Sequence, residues 1–84
     1  MNLSAAILTV HAREQLAVRS LDESMVLLAL AQPDSVTPVR PGRVVAQKRF
    51  DQHLLRVFVD VDRDPPEVVT AYKTSKLDKY RSTP

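Results

Sequence analysis

The clearest pattern in the chain is an alternation of apolar and polar side chains in its central part. From residue 53 to residue 61 the sequence reads HLLRVFVDV. Because alternate side chains of an extended strand point to opposite faces, one face of this strand is aliphatic and suited to pack against helices. The other face places Arg56 beside Phe58. A charge in the middle of a strand is costly to bury unless it is paired or serves a ligand, so this second face is where we look for function.

A first helix is predicted near the amino terminus. Residues 5–10 form a short apolar run that suits a first strand or an extended lead-in. Thr9 is an N-cap candidate for a helix over residues 11–19, since its hydroxyl can accept a hydrogen bond from a backbone amide of the first turn. Ala12 and Leu16 are four positions apart and mark the side of this helix that faces the core.

A second helix is predicted directly after the first. Ser20 and Glu23 have the spacing of a capping box, in which the hydroxyl and the carboxylate satisfy opposite amides at the helix start. Residues 25–31 are apolar nearly all round, so we expect this helix to be the most buried element. Pro33 ends it, because proline lacks the backbone N–H that a helix needs. We expect the two helices to form an αα-hairpin.

The rest of the chain reads as antiparallel strands joined by turns. Prolines and the only glycine mark residues 34–42 as a loop with a short edge strand. Residues 44–50 are predicted as a strand, and residues 51 and 52 turn tightly into the alternating strand, which gives a β-hairpin. A proline-containing turn at residues 62–66 leads into a last strand over residues 67–73.

The fold class that follows is α+β. We expect one domain over residues 1–84, with two N-terminal helices packed on one face of a three- to four-stranded antiparallel sheet and a frayed tail over residues 78–84. At this length the chain has room for a single modest core. It contains no run of about 18 apolar residues, so no membrane-spanning helix is expected. Since cysteine is absent, disulfides and thiolate metal sites are excluded, which fits a cytoplasmic protein.

The sheet face opposite the helices collects the main candidate site. Arg49, Arg56 and Tyr72 are predicted to converge there from neighbouring strands. Two guanidinium groups can hold a phosphate and stabilise the charge that develops on its oxygens. A tyrosine can position or deprotonate a hydroxyl, or stack on a base. The alternative interpretation pairs the arginines with Asp51 or Asp60 on a solvated face, where such ion pairs are common.

The charge is unevenly distributed along the chain, around a net charge of +2. Residues 36–59 contain five basic residues and one acid, and a second basic block begins at residue 73. This distribution indicates either an anion-binding surface or an ordinary solvated face. Residues 74–80 interleave basic side chains with a tyrosine, which suits either contact with a phosphate backbone or a plain C-terminal cap.

The two histidines are candidates for acid–base groups and for metal ligands. His11 is a candidate general acid or base, because histidine is the side chain best suited to proton transfer near neutral pH, although its place in the first turn of a helix is also that of an ordinary surface residue. His53 lies beside a turn and is expected to be exposed. The histidines lack acidic neighbours at metal-ligand spacing. The acids at residues 60, 62 and 64 lack the later glutamate of a calcium loop, so no metal site is predicted.

Several segments occur together in the same order as in a known family. They are His11-Ala12, Arg19 before Ser20 to Glu23, Pro33-Asp34, Lys48-Arg49, Leu55-Arg56-Val57 and the ending VTAYKTSKLDKY over residues 69–80. This pattern is similar to small bacterial proteins catalogued as a domain of unknown function and grouped with the RelE/ParE and BrnT-like toxins of toxin–antitoxin modules. The TAYKTSK segment within the ending is its most specific part.

The resemblance implies a RelE-like fold and, for the active members of the group, metal-independent cleavage of RNA by attack of a 2′-hydroxyl on the adjacent phosphate. Under this hypothesis Arg49 and Arg56 hold the scissile phosphate. Tyr72 orients the leaving group or transfers a proton, and His11 is a candidate base. The residues implied to contact RNA are Gln47, Lys48, Thr70, Lys73 and Lys76.

The resemblance also implies the partners. They are a cognate antitoxin protein and RNA, ribosome-associated or free, with no cofactor and no membrane. The alternative from a different functional class is a non-catalytic module of the same fold that uses the basic face to bind a partner protein.

Overall fold

A computed structural model describes residues 3–75 of the chain. Lys76 and the predicted tail over residues 78–84 therefore lie outside the described residues. The elements in chain order are β1 (Ile7–Leu8), α1 (Val10–Val18), α2 (Glu23–Ala31), β2 (Ser35–Arg40), β3 (Arg43–Phe50), β4 (His53–Asp60) and β5 (Glu67–Thr74).

The five strands form one mixed sheet with the order β1-β5-β4-β3-β2. Strands β2 to β5 are antiparallel to their neighbours, whereas β1 runs parallel to β5, with Ile7 beside Glu67 and Leu8 beside Val68. The prediction of a three- to four-stranded antiparallel sheet is therefore wrong in strand number and in strand direction. The reason is the length of β1, because two residues are too few to show an alternating pattern and their partners are distant in the sequence.

The two helices contact the sheet at different places. Helix α1 packs against β5, and α2 packs against β3 and β4. The predicted N-terminal helix pair, an αα-hairpin laid on an antiparallel sheet, is wrong, because each helix is placed by its own strand partners. Between them Ser20 adopts a left-handed φ of 54°, which redirects the chain. At nine residues each, neither described helix is long enough to cross a membrane.

The observed helix ends agree in part with those predicted from the sequence. Thr9 caps α1 as predicted, since its hydroxyl accepts the amide of the third helical residue at 3.0 Å. The capping box predicted at Ser20 is wrong. Asp22 is the N-cap of α2 instead, and its Oδ1 accepts the amide of Ser24 at 3.0 Å. The left-handed φ of Ser20 does not suit an N-cap, which needs an extended backbone. Helix α2 ends at Ala31, as predicted.

Two hairpins set the register of the central strands. β3 and β4 are joined by residues 51 and 52, and their pairing places Gln47 opposite Arg56. The segment predicted as a loop with a short edge strand contains β2, which forms one edge of the sheet. Pro38 lies within β2 and a register shift follows it, features that suit an edge strand. Gly42, in the turn from β2 to β3, has a φ of +85°, the value for the third position of a type II turn.

The core lies between the two helices and one face of the sheet. The aliphatic face predicted for β4 is confirmed, since Leu55, Val57 and Val59 are at most 1% exposed. Their neighbours in the core come from both helices and from β3 and β5, namely Ala12, Leu16, Val26, Ala29, Leu30, Val44, Ala46, Val68 and Ala71. Since the side chains of β4 alternate, burial of this set directs Arg56 and Phe58 to the opposite side of the sheet.

Candidate functional site

The face of the sheet that points away from the helices is called the open face here, and its centre is a row of three polar side chains. In the strand register Gln47 of β3 lies opposite Arg56 of β4, which lies opposite Tyr72 of β5. Side chains of directly opposite residues in antiparallel strands point to the same face and are close enough to interact. The structure thus brings Arg56 and Tyr72 together, two of the residues that the sequence singled out.

These side chains form a continuous chain of hydrogen bonds across four strands. Gln47 donates from Nε2 to the Ser35 hydroxyl of β2 at 3.1 Å. Arg56 donates from Nε to the Gln47 side-chain oxygen at 2.9 Å and from a terminal nitrogen to the Tyr72 hydroxyl. Gln47 is only 5% exposed, so its amide is a fixed anchor for the guanidinium. Satisfied networks of this kind hold their members in one geometry.

Two aromatic rings add a second constraint on the same guanidinium. The carbon at the centre of the Arg56 guanidinium lies 5.4 Å from the Phe58 ring centroid and 5.6 Å from that of Tyr72. The two rings are stacked, with centroids 6.0 Å apart and planes inclined by 21°. A cation within about 6 Å of a ring face is attracted by the ring quadrupole. Arg56, Phe58, Tyr72 and Gln47 together are called the Arg56 network below.

Arg49 lies on the open face beside this network without being joined to it by a described contact. It follows Gln47 by two residues on β3 and is diagonal to Arg56 in the register, a relation that places such residues about 7–8 Å apart. Its side chain is exposed, and its Nε donates to the backbone oxygen of Asp51 at 3.1 Å. Its backbone amide donates to Asp34. Arg49 is therefore a second cation at the border of the site, directed toward the β3–β4 turn.

Two of the lysines that the sequence assigned to RNA contact lie on the other face of the sheet. Lys48 follows the buried Ala46 in the alternation of β3, and its Nζ donates to the backbone oxygen of Gln32 at the end of α2, at 2.9 Å. That contact satisfies a carbonyl at a helix C-terminus, where a cation is favoured. Lys73 is opposite Leu55 in the register and is exposed. The structure therefore does not bring either lysine to the Arg56 network.

His11 is also separate from the open face. It is exposed in the first turn of α1, on the side of the sheet that carries the helices. Within residues 3–75, no hydrogen bond or ion pair of His11 connects it with Arg56 or Tyr72. His53 is exposed, as predicted.

Thr70 belongs to the open face but meets a residue whose role the sequence did not reveal. The Thr70 hydroxyl accepts a hydrogen bond from Arg19 at 3.1 Å, and the same nitrogen of Arg19 donates to the backbone oxygen of Ala71 at 2.8 Å. Arg19 follows α1 directly, and in the sequence it belongs only to the pattern shared with the family. The local sequence does not predict this contact, because Arg19 and its partners are 51 and 52 positions apart. Ser35, the end of the hydrogen-bond chain, was missed for the same reason.

An acidic residue of β4 is paired with a different arginine. Asp60 lies opposite Arg43 and accepts two hydrogen bonds from its guanidinium, at 2.6 and 3.2 Å. The hydrogen bond from Arg43 lowers the pKa of Asp60, with smaller contributions from the charges of Arg40 and Arg63. The same contact raises the pKa of Arg43. The alternative interpretation paired Arg49 and Arg56 with Asp51 or Asp60, whereas the arginine that binds Asp60 is Arg43, at the opposite end of β4 from its turn with β3.

An open groove of about 440 Å³ lies at the same end of the sheet. It is lined by Pro38, Val39, Arg40, Pro41, Gly42, Arg43, Val44 and Val61. None of these residues belongs to the Arg56 network, so the groove is a separate feature of the β2–β3 turn.

The fold and its open face define a class of small domain in which two helices cover one side of a five-stranded mixed sheet and an arginine–aromatic network occupies the other. Residues 8–73 match the family described as Domain of unknown function (DUF4258), and the chain belongs to this family. The matched segment includes both helices, β2 to β4 and nearly all of β5, so it contains the whole Arg56 network. No curated protein and no solved structure matches the chain.

Proposed function

We propose that this protein is the toxin-like component of a bacterial toxin–antitoxin module, related to the RelE/ParE and BrnT-like toxins. In this proposal the open face binds RNA and cleaves it without a metal ion. A cognate antitoxin would restrain the activity by covering that face. The arrangement of the Arg56 network is the observation that carries the proposal.

The Arg56 network suits phosphate recognition because it fixes a cation on the sheet face opposite the two described helices. Gln47 and Tyr72 hold two nitrogens of the guanidinium, and Phe58 and Tyr72 lie against it. Fixed donors stabilise developing charge without having to reorganise during the reaction. A guanidinium also matches the geometry of phosphate oxygens. The aromatic rings offer surfaces for a base.

The reaction we assign to this face is an internal transesterification. The 2′-oxygen of one nucleotide attacks its 3′-phosphorus, the bond from phosphorus to the 5′-oxygen breaks, and the products carry a 2′,3′-cyclic phosphate and a 5′-hydroxyl. The proton of the 2′-hydroxyl passes to solvent water, and Tyr72 donates its phenolic proton to the departing oxygen. Arg56, assisted by Arg49, stabilises the charge on the non-bridging oxygens. His11 has no part in this scheme, because it lies on the side of the helices.

Substitution of the two central residues tests the proposal. Tyr72→Phe removes one oxygen and retains the ring stack, and we expect RNA cleavage to fall by about 10²–10⁴-fold, the usual contribution of a positioned acid or base. Arg56→Lys retains the charge but loses the planar donor pair, so we expect a loss of similar size. Growth arrest on expression should disappear in both variants.

The matched control is Arg63→Lys, at an exposed arginine of the turn between β4 and β5. It should cleave RNA and arrest growth like the wild type. Far-ultraviolet circular dichroism and thermal unfolding of every variant show whether the fold is retained. If folded Tyr72→Phe and Arg56→Lys proteins cleave RNA at the wild-type rate, the enzyme proposal fails.

One observation favours a non-catalytic binding module as the second candidate. Two nitrogens of Arg56 and the whole Gln47 amide are engaged inside the protein, an arrangement that suits a rigid recognition surface as well as a reactive one. A partner protein would then bind across the half-buried aromatic rings. Growth arrest that persists in folded Tyr72→Phe, with no cleaved RNA in wild-type cells, identifies this second function.

A further inference from the structure

Arg19 is held in an unusual position at the end of α1. It is the C-cap residue of that helix, and Ser20 after it adopts the left-handed φ of 54°. One terminal nitrogen of its guanidinium donates to both Thr70 and the backbone oxygen of Ala71. A surface arginine is ordinarily mobile, whereas these two hydrogen bonds fix this one against β5.

The place of contact is the outer edge of β5, next to the open face. Strand β1 pairs with Glu67 and Val68, and within residues 3–75 no strand pairs with the later part of β5 on that side. Thr70 lies opposite Phe58 in the register and therefore shares the open face with Tyr72. Since neighbouring strands are about 4.8 Å apart, the edge of β5 is within about 10 Å of the β4 backbone that carries Arg56.

The remaining donors of Arg19 take no part in these contacts. Arg19 is exposed, and its hydrogen bonds to residues 3–75 all come from one terminal nitrogen. The Nε and the other terminal nitrogen make no hydrogen bond with a described residue. An arginine that is fixed at one nitrogen and presents further N–H groups is prepared to bind a phosphate with little loss of side-chain entropy.

We propose that Arg19 is a second phosphate-binding residue of the open face, fixed at the β5 edge by Thr70 and Ala71. The inference rests on the proposed RNA function and adds to it a residue and a direction. An RNA strand whose scissile phosphate lies at Arg56 passes over Tyr72 and Thr70, and a neighbouring phosphate reaches Arg19. The strand therefore crosses the sheet from β4 toward the β5 edge.

The purely structural alternative is that Arg19 only protects the β5 edge from pairing with other chains. The two roles differ in how RNA binding depends on salt, because each phosphate contact releases counterions and contributes about 0.7 to the slope of log affinity against log salt for a single strand. Arg19→Gln keeps an amide that can donate to the β5 backbone but removes the charge. The RNA affinity of the Arg19→Gln variant therefore distinguishes a phosphate-binding role of Arg19 from a purely structural role.

The experiment measures binding of the full chain to a short single-stranded RNA with 2′-deoxy nucleotides, which cannot be cleaved by transesterification, over a series of salt concentrations. We expect Arg19→Gln to bind about fivefold more weakly at low salt, with a slope reduced by about 0.7. The control is Arg13→Gln, which removes the same charge from α1. Its guanidinium contacts Leu8 and Glu23 instead of β5, so its slope should equal that of the wild type.

A second variant covers the case in which Arg19→Gln does not fold. Arg19→Lys retains the charge without the fork of donors, and we expect it to keep the wild-type slope while binding more weakly. Wild-type affinity and slope in folded Arg19→Gln, or wild-type affinity in folded Arg19→Lys, would overturn the inference. Loss of binding in Arg56→Gln together with unchanged Arg19 variants rejects Arg19 but retains the proposed function. If the folded wild type binds no RNA, both proposals fail.

Discussion

Two charged residues on the same face of β4 differ in the partners that hold them. Arg56 and Asp60 are four residues apart and both lie on the open face. Asp60 is bound by a guanidinium of opposite charge, whereas Arg56 donates hydrogen bonds to Gln47 and Tyr72, two neutral groups that help to fix its position. A bidentate ion pair primarily serves stability, whereas the proposed function assigns the fixed guanidinium of Arg56 to a phosphate.

The Asp60–Arg43 pair predicts a dependence of stability on pH. Because the folded state lowers the pKa of Asp60 below its ordinary value of 3.8, the pair stabilises the fold above that value. The stabilisation is lost as the pH falls through the lowered pKa of the folded state. Asp60→Asn should therefore lower the urea midpoint at pH 6 more than at pH 3. The control Glu14→Gln, at an exposed carboxylate of α1, should show no such trend. A constant difference between Asp60→Asn and wild type from pH 6 to pH 3 contradicts this account.

At the scale of elements, the β2–β3 hairpin depends on its single glycine. Gly42 has a backbone φ of +85°, a value that residues with a Cβ atom rarely adopt. A Cβ on this residue would lie 2.6 Å from the carboxylate oxygen of Asp62. The backbone oxygen of Gly42 also accepts the amide of Val61, which joins the hairpin to the end of β4. The hairpin and the turn after β4 therefore stabilise each other at this point.

Gly42→Ala should destabilise the protein by about 1–3 kcal/mol, through the strained φ and the contact with Asp62. Urea denaturation measures the free energy of unfolding. In a double-mutant cycle, Asp62→Ala should recover the steric part of the loss but not the part due to backbone strain. If Gly42→Ala is as stable as the wild type, the turn geometry described for this hairpin is wrong.

The elements also show what the sequence could predict and what it could not. The alternation in β3 and β4 is long enough to assign their faces, and it correctly placed Arg56 opposite the core. Strand β1 could not be predicted, because two residues are too few to show an alternating pattern. Its parallel partner, β5, is also about 60 positions later in the sequence. The helix start was misplaced because Ser20 and Glu23 imitate a capping box, while Asp22, the actual cap, lies between them. The contacts of Arg19 with β5 could not be predicted from the sequence, because they form only when the tertiary fold brings the end of α1 to β5.

At the scale of the whole molecule, the basic central segment does not form one surface. Alternation sends Arg49 and Arg56 to the open face, whereas Lys48 lies toward the end of α2 and Arg43 is paired with Asp60. The open face therefore carries few cations, but one of them is held rigidly among aromatic rings. The proposed function therefore depends on this geometry more than on net charge. The helices cover the other face, so the core lies on one side of the sheet and the proposed binding surface on the other.

The most direct test of the proposed activity compares two substrates that differ only in their 2′-oxygens. Wild-type protein is incubated with a single-stranded RNA and with the same strand carrying 2′-deoxy nucleotides, and the product ends are identified by mass spectrometry. We predict cleavage of the RNA alone, without added metal, leaving 2′,3′-cyclic phosphate and 5′-hydroxyl ends. Cleavage of the 2′-deoxy strand, or failure of the folded wild type to cleave any RNA that it binds, would contradict the role given to the Arg56 network.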